Sequence, residues 1–168
     1  MCIRDSCIPA EKVIRLLEDS HAKNVKLIQL FTARMSETGR EEGIKIEREI
    51  LEKSKSLGIG VLGPNCMGIY CPKAGLSYGQ DFPKEAGDVG AIFQSGGAST
   101  DFVHYGSLRG LRFSKVVSYG NALDIDESEL LYYLAQDPDT KVIALYVEGV
   151  KDGRRFADAL SYAAQRKP

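Results

Sequence analysis

The sequence predicts an α/β protein built on parallel sheets, and three features predict it. Short apolar runs alternate with amphipathic segments from residue 9 to residue 165, the pattern of consecutive βα units. The runs stop at small-residue turns: GPNCMG at 63–68, QSGG at 94–97, YGN at 119–121 and EG at 148–149. One run, Val142 to Val147, is nearly continuously apolar, as expected of a strand buried on both faces. At 168 residues, 43% hydrophobic and 27% charged, the composition is that of one large or two small globular domains.

Each element follows in chain order. Residues 1–6, MCIRDS, fit no element and resemble a spurious leader; residues 1–8 are set aside on that ground. Pro9 to Asp19 reads as a helix, with Pro9 suited to a first turn and Val13, Leu16 and Leu17 on one stripe. Val25 to Phe31 reads as a strand, and Thr32 to Ser36 as the loop at its carboxyl end, where ligands bind in open α/β sheets. Arg40 to Leu57 is a helix with Ile46, Ile50 and Leu57 inward and the intervening Glu, Lys and Arg residues outward, stopped by Gly58. Ile59 to Leu62 is a short strand before the 63–68 turn.

Residues 71–87 carry three Gly, two Pro and little periodicity and read as an inter-domain connection. A second βα series follows: strand Val89–Phe93, helix Ala98–His104, strand Phe113–Ser118, helix Ile125–Ala135, strand Val142–Val147 and helix Arg154–Gln165. Both series read as incomplete at an end of the chain, so the sequence is expected to be part of a longer protein.

The stretch 88–107 is central. An apolar run ends at Gln94-Ser95-Gly96-Gly97 and a helix begins. Ser95 can cap that helix, and the glycines allow close approach to N–H groups at the positive end of the dipole. An anion, most often phosphate, suits such a turn; a plain capped helix in a parallel sheet fits the same spacing. Topology places the turns 94–97, 119–124 and 148–152 on one sheet edge. The second offers Gly120, Asn121, Asp124 and, just beyond it, Asp126, the last equally suited to capping the next helix. The third offers Glu148, either a group that orients an imidazole or acts as a base, or a surface acid paired with Lys151 or Arg154.

Composition narrows the function classes. The formal net charge of -1 argues against nucleic-acid or membrane-surface partners, and no apolar run reaches membrane-span length. Cys2, Cys7, Cys66 and Cys71 form no CxxC pair, and with His21 and His104 as the two histidines no zinc site is expected. Without a secretion signal the thiols are expected to be reduced and the protein cytoplasmic. Neither histidine sits at a catalytic position, and neither GxxxxGK[ST] nor GxGxxG occurs.

Four stretches, GVLGPNCMGIYCP (60–72), GDVGAIFQSGGAST (87–100), residues 113–156 with YGN, DIDE and YVEG in order, and more loosely FTARMSETG (31–39), together resemble the ADP-forming acyl-CoA synthetases. That family (acetate–CoA ligase, ADP-forming) shares its core with the α subunit of succinyl-CoA ligase. The resemblance covers residues 8–168. It implies the C-terminal part of a Rossmann-like CoA-binding domain over 9–72, a linker over 73–87, and a flavodoxin-like succinyl-CoA-synthetase-type domain over 88–168, truncated at its C-terminus. The activity implied interconverts acyl-CoA, ADP and phosphate with carboxylate, CoA and ATP through an acyl phosphate and a phosphohistidine.

The resemblance also implies site residues. Phe31, Thr32, Ala33, Asn65 and Cys66 match positions lining the CoA site. Ser95, Gly96 and Gly97 match the helix start that holds the phosphohistidine's phosphate, Glu148 matches the glutamate bonded to that imidazole, and Gly120 and Asn121 fall in the loop beside the pocket. No metal ligand is implied in this chain. The phosphorylated histidine, and the ATP-grasp module that binds ATP or ADP with Mg2+, are expected outside it, so the chain alone is expected to be inactive and its family context multimeric. Arg34 departs from the small residue usual at its position. The runners-up are a non-catalytic CoA-binding or regulatory module, such as the sensor part of a protein acyltransferase; the α subunit of succinyl-CoA ligase itself, which EGVKDGRRF fits less well; and a flavodoxin-like domain for another phosphorylated ligand.

Overall fold

The computed structural model describes residues 3–168; Met1 and Cys2, and with them the opening of the leader reading and one of the four thiols, lie outside the described residues. The chain forms two compact units, Met1–Gly68 with Tyr119–Ile125, and Ile69–Ser118 with Asp126–Pro168.

The first unit is built on strands β1 (Ile3–Ser6), β2 (Leu27–Leu30) and β3 (Gly60–Leu62), parallel and in the order β1-β2-β3. Helices α1 (Val13–His21) and α2 (Glu41–Leu57) connect them. Val13, Leu17, Ile28, Leu30, Ile50 and Val61 are fully buried and form the core, each worth roughly 1.5–3 kcal/mol of burial. Gly58 ends α2 at φ 64°, its N–H donating to carbonyls of the last turn, the left-handed cap anticipated from its position.

Two expectations need correction here. Residues 3–6 do form an element: they pair with β2 from Ile3↔Leu27 to Ser6↔Leu30 and cover that strand's edge. Four residues containing Arg4 and Asp5 are too short and too polar to show a period. On α2, Glu47 does not face water. It is buried, and its Oε2 accepts from the Ser36 N–H at 2.8 Å, tying the helix to the preceding loop.

The second unit carries β4 (Gly68–Tyr70), β5 (Ala86–Phe93), β6 (Phe113–Ser118) and β7 (Val142–Tyr146), ordered β4-β6-β5-β7, with β5 parallel to β6 and β7. Helices α3 (Gly96–Leu108), α4 (Glu127–Gln136) and α5 (Gly153–Ala164) alternate with the last strands. Leu130, Leu131 and Leu134 are buried along α4, as their spacing predicts.

Residues 73–87 are not a linker. Phe82 is buried against Tyr70, with ring centroids 5.0 Å apart, in the same core as Phe93, Val103 and Phe113. The aromatic side chains hold this segment although its backbone lacks a repeat. Within these residues β7 ends the strand order, with Val142 and Tyr146 43% and 42% exposed, and its Ile143 N–H donates to the Pro168 carbonyl at 2.9 Å. Below the sheet, Asp137 accepts from Lys115 Nζ at 2.7 Å and from Thr140 Oγ1 at 2.6 Å. Burial raises the Asp137 carboxyl, but these bonds outweigh it and hold the group below its ordinary value. Among the described residues no helix is long and apolar enough to cross a membrane.

Candidate functional site

In the second unit, β5 delivers Gln94 to the sheet edge. Its N–H donates to the Tyr146 carbonyl at 3.0 Å. Its side-chain Oε1 accepts from the Glu148 and Gly149 N–H groups at 2.7 and 2.9 Å. One amide therefore joins the turn after β5 to the turn after β7, and exposed Glu148 is carried beside the start of α3. Of the two readings of Asp126, the cap is realised: it accepts from the Glu129 N–H at 3.0 Å and pairs with Arg155 at 2.5 Å.

Ser95 caps α3, accepting from the Ala98 N–H at 3.2 Å. The Gly96 and Gly97 N–H groups are the first two of the helix, which have no partner within it. The Ser99 and Thr100 hydroxyls donate to the Gly96 carbonyl at 2.7 and 3.0 Å. Tyr78 in turn donates to Ser99 Oγ at 3.1 Å, its own phenol pushed up to about 12 by burial. The opening turn is thus fastened from inside. Outside it there is room: a Cβ on Gly97 would meet nothing nearer than Ser95 Oγ at 4.0 Å. Packing does not require glycine here.

In the first unit the loop after β2 borders an open cleft of about 810 Å³. Ala33, Arg34, Arg40, Glu11, Glu42 and Gly43 are among its lining residues. Glu37 shapes the loop: its carboxylate accepts from the Arg34 N–H and, at 3.0 Å, from the Met35 N–H. Arg34 is held at φ 69°, a left-handed conformation that side chains other than glycine rarely adopt.

The predicted CoA-site residues divide. Ala33 lines the cleft. Phe31 is 47% exposed beside it in sequence. Thr32 is buried, and its hydroxyl donates to the Ile8 carbonyl at 2.7 Å. Asn65, at φ 56°, donates its N–H to the Thr32 carbonyl at 2.8 Å. Cys66 is buried, its thiol directed at the Leu30 and Leu62 carbonyls at 3.5 and 3.7 Å and pushed up to about 12 by burial, with Asp5 adding to the rise. Thr32, Asn65 and Cys66 therefore build the turn rather than the cleft wall.

Gly120 and Asn121 belong to the first unit, not to the turn pair of Gln94 and Glu148. The Asn121 N–H donates to the Pro64 carbonyl at 3.0 Å, and its Nδ2 donates to Glu37 Oε2 at 2.7 Å. Asp124 caps the arrangement by accepting from the Val61 N–H at 2.9 Å. Phe93 is in register with both Ser118 and Tyr146 on parallel neighbours, so the turns after β5, β6 and β7 leave the same end of the sheet, as expected, and the chain after Ser118 continues in the first unit. Both histidines have structural surroundings: His21 Nδ1 lies 3.0 Å from the Leu57 carbonyl, and the His104 ring stacks edge-on against Phe82 at 5.0 Å. Sequence reasoning missed Glu37, Arg40 and Tyr78, which lie outside any small-residue turn.

Residues 86–168 match the family described as succinyl-CoA ligase like flavodoxin domain. The α subunit of acetate–CoA ligase [ADP-forming] II from Pyrococcus furiosus is 37% identical over 161 residues, covering 96% of this chain and 35% of that protein. The acetate–CoA ligase [ADP-forming] of Methanocaldococcus jannaschii is 39% identical over 163 residues, covering 96% of this chain and 22% of that protein. Among solved structures, the apo dinucleotide-forming acetyl-coenzyme A synthetase 1 of Ca. Korarchaeum cryptofilum superimposes with a TM-score of 0.89 at 33% identity, over 100% of this chain and 37% of that one. The chain thus spans about a third or less of the length of these relatives.

Proposed function

From a chain that belongs to the superfamily of ADP-forming acyl-CoA synthetases and succinyl-CoA ligases, we propose a contribution of two parts to a larger enzyme. The first unit binds CoA, and the second handles phosphate. The whole enzyme interconverts acyl-CoA, ADP and phosphate with a carboxylate, CoA and ATP.

One observation carries the second part: the Gln94 amide bonded to the Glu148 and Gly149 N–H groups. It fixes a carboxylate beside a capped helix start whose outer surface is open at Gly97. The N–H groups of that start receive phosphoryl oxygens and offset their charge. Glu148 accepts the N–H of an imidazole, which selects its tautomer and leaves the other nitrogen as nucleophile. Phosphate first attacks the thioester carbonyl and expels the CoA thiolate. The imidazole then takes the phosphoryl group from the acyl phosphate, the carboxylate leaves, and ADP collects the phosphoryl group. His21 and His104 are engaged elsewhere, so the imidazole comes from outside residues 1–168, as does the site for ADP and Mg2+.

The test is a chimera in which this chain replaces the matching segment of the Pyrococcus furiosus α subunit, assayed with its partner for ATP formation from acetyl-CoA, ADP and phosphate. Glu148→Gln is expected to lower kcat by about a hundredfold or more while CoA binding is retained. An unchanged kcat would overturn the role of Glu148. Radiolabelling of His21 or His104 by an acyl phosphate would overturn the external imidazole.

A further inference from the structure

We infer that Arg34 and Arg40 form a two-guanidinium receptor for a phosphate monoester, and that they make the first unit discriminate CoA from its analogue lacking the 3′-phosphate. The inference rests on the reading of that unit as a CoA site and goes on to name the residues that select the ligand.

Both arginines are exposed and line the same cleft of about 810 Å³. Glu11 and Glu42 line it too, yet among the described residues no carboxylate lies within 4.0 Å of either guanidinium, whereas Arg15, Arg112 and Arg155 each have such a partner. The acids have a different relation to the fold. Glu11 lies in the first turn leading into α1, and Glu42 in the first turn of α2, where the positive end of a helix favours a carboxylate. Charges of opposite sign share the cleft without pairing, which leaves ten guanidinium N–H donors for a ligand.

Arg34 adds a second, independent observation. Its backbone stands at φ 69°, a position glycine would occupy without strain. Glu37 enforces that geometry through the Arg34 and Met35 N–H groups. A long cation is therefore kept at the cleft wall in a conformation that disfavours it. Strained residues of this kind collect at ligand sites.

The ligand chemistry follows from charge and shape. A phosphate monoester carries about −1.5 to −2 near neutral pH and three acceptor oxygens, suited to two planar forks. Each phosphate of a pyrophosphate diester carries about one charge and is better matched by single contacts or backbone N–H groups.

The experiment is calorimetric titration, with CoA and with dephospho-CoA, of the chimeric α subunit in which this chain replaces the matching segment. Wild type is expected to prefer CoA by at least about tenfold. Arg34→Gly and Arg40→Gln should each erase most of that preference while leaving dephospho-CoA affinity unchanged. Arg34→Gly also relieves the backbone strain, so its loss of preference cannot be ascribed to misfolding; thermal unfolding of each variant checks this. Equal binding of CoA and dephospho-CoA by wild type, with both bound, overturns the monoester receptor but keeps the CoA reading. Equal weakening of both ligands in the variants assigns the arginines to the pyrophosphate and overturns it as well. Binding of neither ligand overturns the CoA reading itself.

Discussion

The two units hold their polar loops in opposite ways. In the second unit the polar groups are backbone N–H donors at the start of α3, fastened by the Ser95, Ser99 and Thr100 hydroxyls. Its glycine at 97 faces open space. In the first unit the loop over 31–37 depends on side chains. Glu37 gathers N–H donors from Arg34, Met35 and Asn121, and the last comes from 84 residues away in sequence. Its glycine at 120 faces the Pro64 and Asn65 carbonyls, which a Cβ would approach to 2.1 and 2.4 Å. A helix start is a local device and can be moved as a block. A loop clamped by distant residues exists only when the unit has closed around it.

The same substitution at the two glycines gives the largest contrast. Gly120→Ala meets backbone on both sides and must also hold φ 58°. It is expected to destabilise the first unit by about 3 kcal/mol or more, read as a shift in urea unfolding. Gly97→Ala is expected to leave stability within about 0.5 kcal/mol, because nothing crowds the position. Its effect falls on turnover in the chimera, lowered by at least about tenfold as the methyl holds the phosphoryl group off the N–H donors. Equal stability losses at the two positions would remove the distinction between the units.

That contrast also explains what could be read from sequence. The start of α3 was legible because everything needed for it lies between Phe93 and Ala98: the end of an apolar run, a capping serine and two glycines. Asp126 and Gly58 were legible as caps for the same reason. The resemblance to acyl-CoA synthetases likewise rested on contiguous stretches. By contrast, the bond from Asn121 to Glu37 is not legible, since only the folded first unit brings the two together. Glu47 looked solvated because a charged residue on an amphipathic helix usually is, and its partner is the Ser36 N–H. Segment 73–87 reads as a linker because Tyr78 and Phe82, besides packing on each other, find their partners at Ser99, Tyr70 and His104.

Glu37→Gln tests the clamp itself and carries the smallest expected effect. Burial raises the Glu37 carboxyl, but the Asn121 amide and the N–H groups of Met35 and Arg34 lower it by more, so it lies below its ordinary value of 4.5. A carboxyl depressed by folding adds stability above its unfolded value and loses it as pH falls through the folded one. The residue is exposed, so replacing it at neutral pH is expected to cost less than about 1 kcal/mol. As pH is lowered below 4.5 and through the folded value, the gap between wild type and Glu37→Gln in chemical unfolding should close. Asp137 is depressed as well, so both proteins lose stability in acid, and only their difference reports on the clamp. A gap that widened in acid would mean that Glu37 is bound more tightly when protonated, and the loop would then be held by something other than its charge. A gap that closes, together with a weakened preference for CoA over dephospho-CoA at neutral pH, would tie the charge of Glu37 to the placement of Arg34.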